Sequence, residues 1–360
     1  MPFTIESEYV RLSMTEMGGQ LGPISFRIRG DWVKPLALAP WSPDELDPSA
    51  PEILKQLRGD FFCMPFGSNE TPFNGERHPL HGETANESWS LIQRDKFSFS
   101  AQIQTRIRPG IVRKHLYVSQ KQPIIYSRHT LSDYEGLMCF GHHAMLDAEP
   151  GLKISTSPIF FGQVFPGVFE SPDRGGHQFL KAGARFSDLR DVEASDGSHV
   201  DLTDYPARPG FEDLALVSAD QNSLFAWSAA VFKSKGYVWI SLKNPRQLAS
   251  TVFWFSNGGR EYEPWNGRHR NVIGIEEVTA YFHFGLAESV AENPMSQIGI
   301  PTHVMLHRSR PFIVSNIMCV LPIPDDFSEV ESIVSIPGGI RVTSPERHSV
   351  DSELDLGFLE

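Results

Sequence analysis

Three cysteines in 360 residues, Cys63, Cys139 and Cys319, are too few and too widely spaced for a disulfide framework. None falls in a metal-binding pattern, and they read as buried free thiols of a reducing compartment. No apolar run approaches the roughly 20 residues that a membrane-spanning helix needs. The first residues, MPFTIESEYVRLSM, lack the basic stretch and apolar run of a secretory leader, so a cytoplasmic location is expected. No lysine or arginine cluster offsets a formal net charge of −12, which argues against nucleic acid or an anionic membrane as partner. The GxGxxG and P-loop patterns are absent, as is any strand–helix alternation, and a doubly wound nucleotide-binding fold is not expected. No repeat of roughly 20–50 residues is present either.

What is abundant points to β structure. Aromatics make up 11% of the chain, with 25 Phe and 7 Trp, and the 29 Gly and 27 Pro supply turns. Phe97, Phe99, Ala101, Ile103 and Thr105 alternate with polar residues, the mark of a half-buried antiparallel strand. Further strands are expected at 24–29, 111–118, 123–131, 223–232, 237–242, 251–256, 271–284 and 302–307. Helices are few and short: Glu52 to Leu57, and Leu286 to Ala291 before Pro294. Residues 150–212, rich in Gly, Asp, Pro and Ser, read as a loop-rich insertion. The segment 346–360 reads as an acidic, weakly tied tail. The expected fold class is all-β: one large antiparallel β-sandwich over 1–345.

Four fragments carry possible chemistry. The loop from Arg58 to Trp89 has no strand or helix period, yet it holds five aromatics and is too apolar for disorder. Within it His81 precedes Gly82, which lets the backbone turn sharply and present the ring to a cleft. Next come His142 and His143; adjacent strand residues face opposite ways, so only one of them faces a cleft. In the third fragment Glu276 and Glu277 sit among β-branched residues, where carboxylates need a partner or a task. A half-buried carboxylate there acquires a raised pKa and serves as a general base. Alternation does not choose between Glu276 and Glu277, because a one-residue bulge exchanges their faces. The fourth fragment, 257–268, joins Tyr262 and Trp265 to amides, Arg260 and Arg268, a combination suited to stacking on a sugar ring and reaching its hydroxyls.

Taken in this order, the fragments resemble the aldose 1-epimerase (galactose mutarotase-like) superfamily, nearest in style to hexose-6-phosphate epimerase-like members. Pro79-Leu80-His81-Gly82 through Asn86 to Trp89 is similar to that group's PxHGFARNxxW loop, with Ala85 in place of its arginine. His143-Ala144-Met145-Leu146 resembles its catalytic-histidine stretch, and Ile275-Glu276-Glu277-Val278-Thr279 its glutamate strand. Met64-Pro65-Phe66-Gly67 is similar to its Pro-aromatic-Gly segment, whose usual arginine is replaced near Asn69. The resemblance implies a β-supersandwich that interconverts the α and β anomers of a small-molecule sugar, with Glu276 as base and His143 as acid. On this reading His81 hydrogen-bonds the substrate, Asn69, Asn86, Trp265, Arg268, His142 and Glu277 are further candidate contacts, and the chemistry calls for neither cofactor nor metal.

Two other readings stand beside it. One is a carbohydrate-binding protein on the same fold without turnover. The other is a metal-dependent isomerase of cupin type, which usually places two histidines as HxH on one strand face, whereas this chain has HH and HxxH.

Overall fold

A computed structural model describes residues 2–360. Two large sheets, both antiparallel throughout, form the body. The nine-stranded sheet runs in the order Asp204–Tyr205, Leu152–Thr156, Ala226–Phe232, Tyr237–Lys243, Phe312–Pro322, Ile124–Ser132, Gly110–Val118, Ser98–Thr105 and Ser90–Arg94. The eight-stranded sheet runs Arg185–Phe186, Phe161–Val164, Glu212–Ser218, Ser250–Ser256, Val272–Thr279, Phe140–His142 and Phe62–Cys63, with Ala144–Asp147 continuing along Val272–Thr279. Their central strands are buried along their whole length. That is why these segments read as continuous apolar runs rather than clean alternation.

Two hydrophobic cores follow. The main core lies between the two sheets and includes Trp239, Val320 and Leu116 from one, and Phe62, Phe253 and Ile275 from the other. A four-stranded N-terminal sheet, Phe3–Val33, adds Val10, Leu12 and Phe26 to the same core. A second core covers the other face of the nine-stranded sheet. There Trp227, Ile240 and Ile317 meet Phe327, Ile340, Val342 and Leu359.

That second core corrects the expectation for the C-terminus. Residues Ser349–Glu353 form the last strand of a three-stranded sheet with Ser332–Ile336 and Gly339–Thr343. Leu354 and Leu359 are buried, and Arg128 lies 4.3 Å from the centre of the Phe358 ring. The acidic residues alternate outward, with Asp351 paired to Arg341, so the composition concealed an ordinary edge strand. Within 150–212, Leu152–Thr156 and Phe161–Val164 are members of the two main sheets, and loops joined by short strand pairs begin after them. The long strand expected at 271–284 stops at Thr279, where the chain turns through Phe282 (φ 50°) and Gly285 (φ 123°). The helices are Glu52–Gln56 and Leu286–Val290. Among the described residues, no helix is long and apolar enough to cross a membrane.

The sheets are also joined by charge. Glu277 points into the main core, where Lys243 of the opposite sheet pairs with its Oε2 and Thr251 donates to the same oxygen at 2.7 Å. Both charged groups are 1–2% exposed, so Glu277 is a structural partner of Lys243 rather than the substrate contact expected for it. Removing one member of a buried pair strands the other in a low dielectric. Lys243→Met alone is expected to destabilise the fold by about 3–5 kcal/mol, with most of the loss recovered in Lys243→Met/Glu277→Leu. Urea unfolding of the single and double variants measures both.

Candidate active site

One strand register assembles the site. Ala144 pairs with Ile275 and Gly141 with Val278, so the same register sets His143 opposite Glu276 and His142 opposite Glu277. Successive residues face opposite ways. His143 and Glu276 therefore share the face turned away from the main core, and His142 and Glu277 share the face turned into it. Nε2 of His143 lies 3.3 Å from Oε1 of Glu276. The strand Val272–Thr279 pairs with Ser250–Ser256 without a shift of register, so no bulge exchanges the two glutamates. Gly274 makes room for the carboxylate: a Cβ there would lie 2.6 Å from Glu276 Oε1.

The remaining walls come from loops laid over this face. Phe61 stacks on His143 with ring centres 4.6 Å apart, and Trp254 meets the same ring edge-on at 5.8 Å. His81 stands 5.0 Å from His143 and 4.9 Å from His283, centre to centre. His81 has φ 58° and Gly82 φ 76°, and a Cβ on Gly82 would lie 1.9 Å from the Met64 carbonyl oxygen. Glycine is thus obligatory at the position that turns His81 inward. The Gly67 N–H donates to His81 Nδ1 at 3.4 Å, a long contact that leaves the ring proton on Nε2. Together with Leu54, Leu57, Leu80, Phe169 and Trp265, these groups enclose a cavity of about 250 Å³.

The rim is polar. Glu170 accepts from Arg260 Nε at 2.5 Å and from the Tyr262 hydroxyl at 3.1 Å. The Arg260 guanidinium lies 4.5 Å from the centre of the Trp265 ring. Behind Trp254 is Glu212, which accepts from Trp254 Nε1 at 2.8 Å and Ser256 Oγ at 2.9 Å. His269 stacks on Trp254 at 5.1 Å and shares a 2.6 Å hydrogen bond with Ser256.

Burial dominates the electrostatics. It raises Glu276 well above the ordinary carboxylate range and pushes His143 down to about 4. Burial lifts Glu212 to about 7 against the lowering charge of Arg260. His81 is held well below its usual value, chiefly by burial and then by the charges of His283 and His143. Burial thus favours the protonated form of Glu276 and the neutral form of His143 in the cavity.

His81, His143, Glu276 and Trp265 line this one cavity. Four other expected contacts lie elsewhere, in addition to Glu277. Asn69 is buried and clips the loop, donating to the Pro65, Gly67 and Pro79 carbonyls and accepting from Leu286 N–H. Asn86 does the same between Ile53, Leu80 and Gly82. Arg268 is exposed and pairs with Glu45 at 2.7 Å. His142 sits in the core, with Nδ1 3.1 Å from Asp60 Oδ2. Asn and Arg in such loops look like ligand contacts in a sequence, but here the backbone groups of an irregular chain claim the two asparagines and Glu45 claims the arginine. Trp254, Phe61, Phe169 and His283 were not singled out by sequence. Trp254 sits in an apolar run, and His283 lies where a continuous strand was expected. Among the described residues, no three His, Cys, Asp or Glu side chains converge to hold a metal.

The fold is a large antiparallel β-sandwich that is similar over nearly its whole length to solved structures named as galactose mutarotase-like proteins. A candidate aldose 1-epimerase from Escherichia coli K12 superposes with a TM-score of 0.61 at 12% identity, covering 90% of this chain and 99% of its own. A galactose mutarotase related enzyme from Lactobacillus acidophilus gives 0.58 at 11% identity, covering 90% and 99%. A galactose mutarotase-like protein from Lactobacillus casei gives 0.57 at 10% identity, covering 89% and 100%. No protein-family model and no curated protein matches the sequence.

The buried histidines make stability depend on pH. His269 is pushed down to about 3, mainly by burial, whereas an unfolded histidine titrates near 6.5. The unfolded chain then binds the proton first, so the stabilisation present above about 6.5 is lost as pH falls towards the folded value. His269→Gln is expected to melt with a flatter pH dependence than the wild type between about pH 6.5 and 4, as followed by circular dichroism.

Proposed function

We propose that the protein is an aldose 1-epimerase-like isomerase that interconverts the α and β anomers of a sugar by acid–base ring opening. The observation that carries this reading is the His143–Glu276 pair, two titratable groups opposed at 3.3 Å in a cavity of about 250 Å³. Mutarotation needs a base for the proton of the C1 hydroxyl and an acid for the ring oxygen, and no redox step. The pair holds one exchangeable proton. With that proton on His143, Glu276 is a carboxylate that takes the C1 hydroxyl proton, and the His143 imidazolium protonates the ring oxygen. The C1–O5 bond breaks, the C1–C2 bond rotates, and closure runs the transfers backwards onto the other face of the carbonyl. His81, with its Nε2 proton available, hydrogen-bonds the ring oxygen or a neighbouring hydroxyl. Trp254 and Trp265 supply apolar surface for the sugar ring.

The fold likeness to the mutarotase-like structures supports the class of reaction, and the pairing of groups supports its chemistry. Among the described residues, no donor cluster lends weight to a metal-dependent isomerase. A binding protein without turnover needs the aromatic walls but not the matched pair.

Glu276→Gln and His143→Asn are each expected to slow anomerisation by about 10²–10⁴-fold. Polarimetry or NMR exchange on a panel of free aldoses reads the rate, while calorimetry shows whether sugar binding survives. Because the pair works with one proton, the rate is expected to fall as pH rises through the elevated Glu276 value. A wild type that binds sugars and accelerates none of them makes the non-catalytic reading correct.

A further inference from the structure

The cavity that holds His143 and Glu276 is continuous with a larger groove of about 820 Å³. Ser68, Glu70, Phe169, Arg260, Tyr262 and His283 line both, and form a throat between them. The inner chamber is smaller than the roughly 300–1,000 Å³ of sites for drug-sized ligands, whereas the outer groove falls inside that range. The throat is framed by Glu170, which ties Arg260 to Tyr262. Beyond it the wall is aromatic. Phe284 stacks on Phe165 at 4.6 Å and on Tyr281 at 5.3 Å, and Phe169 packs edge-on to Phe165 at 5.7 Å. Phe169 and Phe284 remain partly exposed, and Val168 between the aromatics is 76% exposed.

Charge narrows the occupant. The groove carries Glu70, Glu170 and Asp173 against Arg174 and Arg260, and Glu170 already neutralises Arg260. An anionic ligand would face surplus carboxylate, so the groove discriminates against phosphorylated sugars and for neutral ones. Partly exposed aromatic rings beside carboxylate and guanidinium groups match a pyranose, which offers an apolar C–H face and a rim of hydroxyls.

We infer that the outer groove is a binding site for a second, neutral sugar unit, so that the preferred ligand is a reducing oligosaccharide whose reducing-end ring occupies the inner chamber. The anomerisation reading enters only in deciding which end lies inside. A single monosaccharide leaves the groove filled with water. A 1,4-linked disaccharide passes its glycosidic bond through the throat beside Arg260 and Tyr262 and lays its second ring against Phe169 and Phe284.

Calorimetric titration with glucose, maltose, cellobiose, lactose and glucose 6-phosphate tests this on the full chain. At least one disaccharide is expected to bind about tenfold more tightly than glucose, the gain an added aromatic contact supplies. Phe284→Ala, and separately Val168→Trp at its exposed loop position, are each expected to bring the disaccharide-to-glucose affinity ratio towards one. Glucose binding serves as the check that each variant is folded. If no disaccharide outbinds glucose, or glucose 6-phosphate outbinds them all, the inference is overturned. Tight disaccharide binding without accelerated anomerisation in any titrated sugar upholds the groove and overturns the catalytic reading of the inner chamber.

Discussion

The structure turns on one register: a pair of histidines held opposite a pair of glutamates across two antiparallel strands. Because strand side chains alternate, each face receives one histidine and one glutamate. On the face towards the opposite sheet, His142 is met by Asp60 and Glu277 by Lys243, so each has a polar partner inside the core. On the other face, His143 and Glu276 have chiefly each other, under a cover of aromatic rings. The same doublets thus produce a structural pair and a reactive pair, and a slip of one residue would exchange them.

The cover is what makes the second pair unusual. Buried carboxylates and imidazoles are tolerable only when neutral or paired. Here burial drives both to neutrality in opposite senses, Glu276 by keeping its proton and His143 by refusing one. The covering loops hold this position through their own backbone bonds. Ser68 N–H and Asn69 N–H donate to the carbonyls of His283 and Phe284, which binds the His81 loop to the turn after the glutamate strand. Asn69 and Asn86 then satisfy carbonyls that an irregular chain would otherwise leave bare.

Strand-forming segments were legible wherever one face is wet, as in Ser98–Thr105, because alternation survives there. Strands buried on both faces were recognisable as apolar runs but not assignable to a sheet. The C-terminal strand was masked by its acidity, which reflects only its solvent side. In the candidate site, His81, His143 and Glu276 stood out because titratable residues are rare beside glycine turns and β-branched runs. Asn69, Asn86 and Arg268 stood out for the same polarity, yet their partners are backbone carbonyls, backbone N–H groups and Glu45. Composition does not separate a polar group that serves a ligand from one that serves the chain.

The sequence by itself determined an all-β chain with acidic balance, a long glycine-bent loop and two doublets of acid–base residues in order. Only the tertiary structure decided which member of each doublet faces the cavity. That choice depends on strand register and on what covers each face, which are non-local. It also decided that His283 and Trp254 belong to the site, since a turn after Thr279 and a neighbouring strand bring them there from segments whose local pattern carries no mark of it.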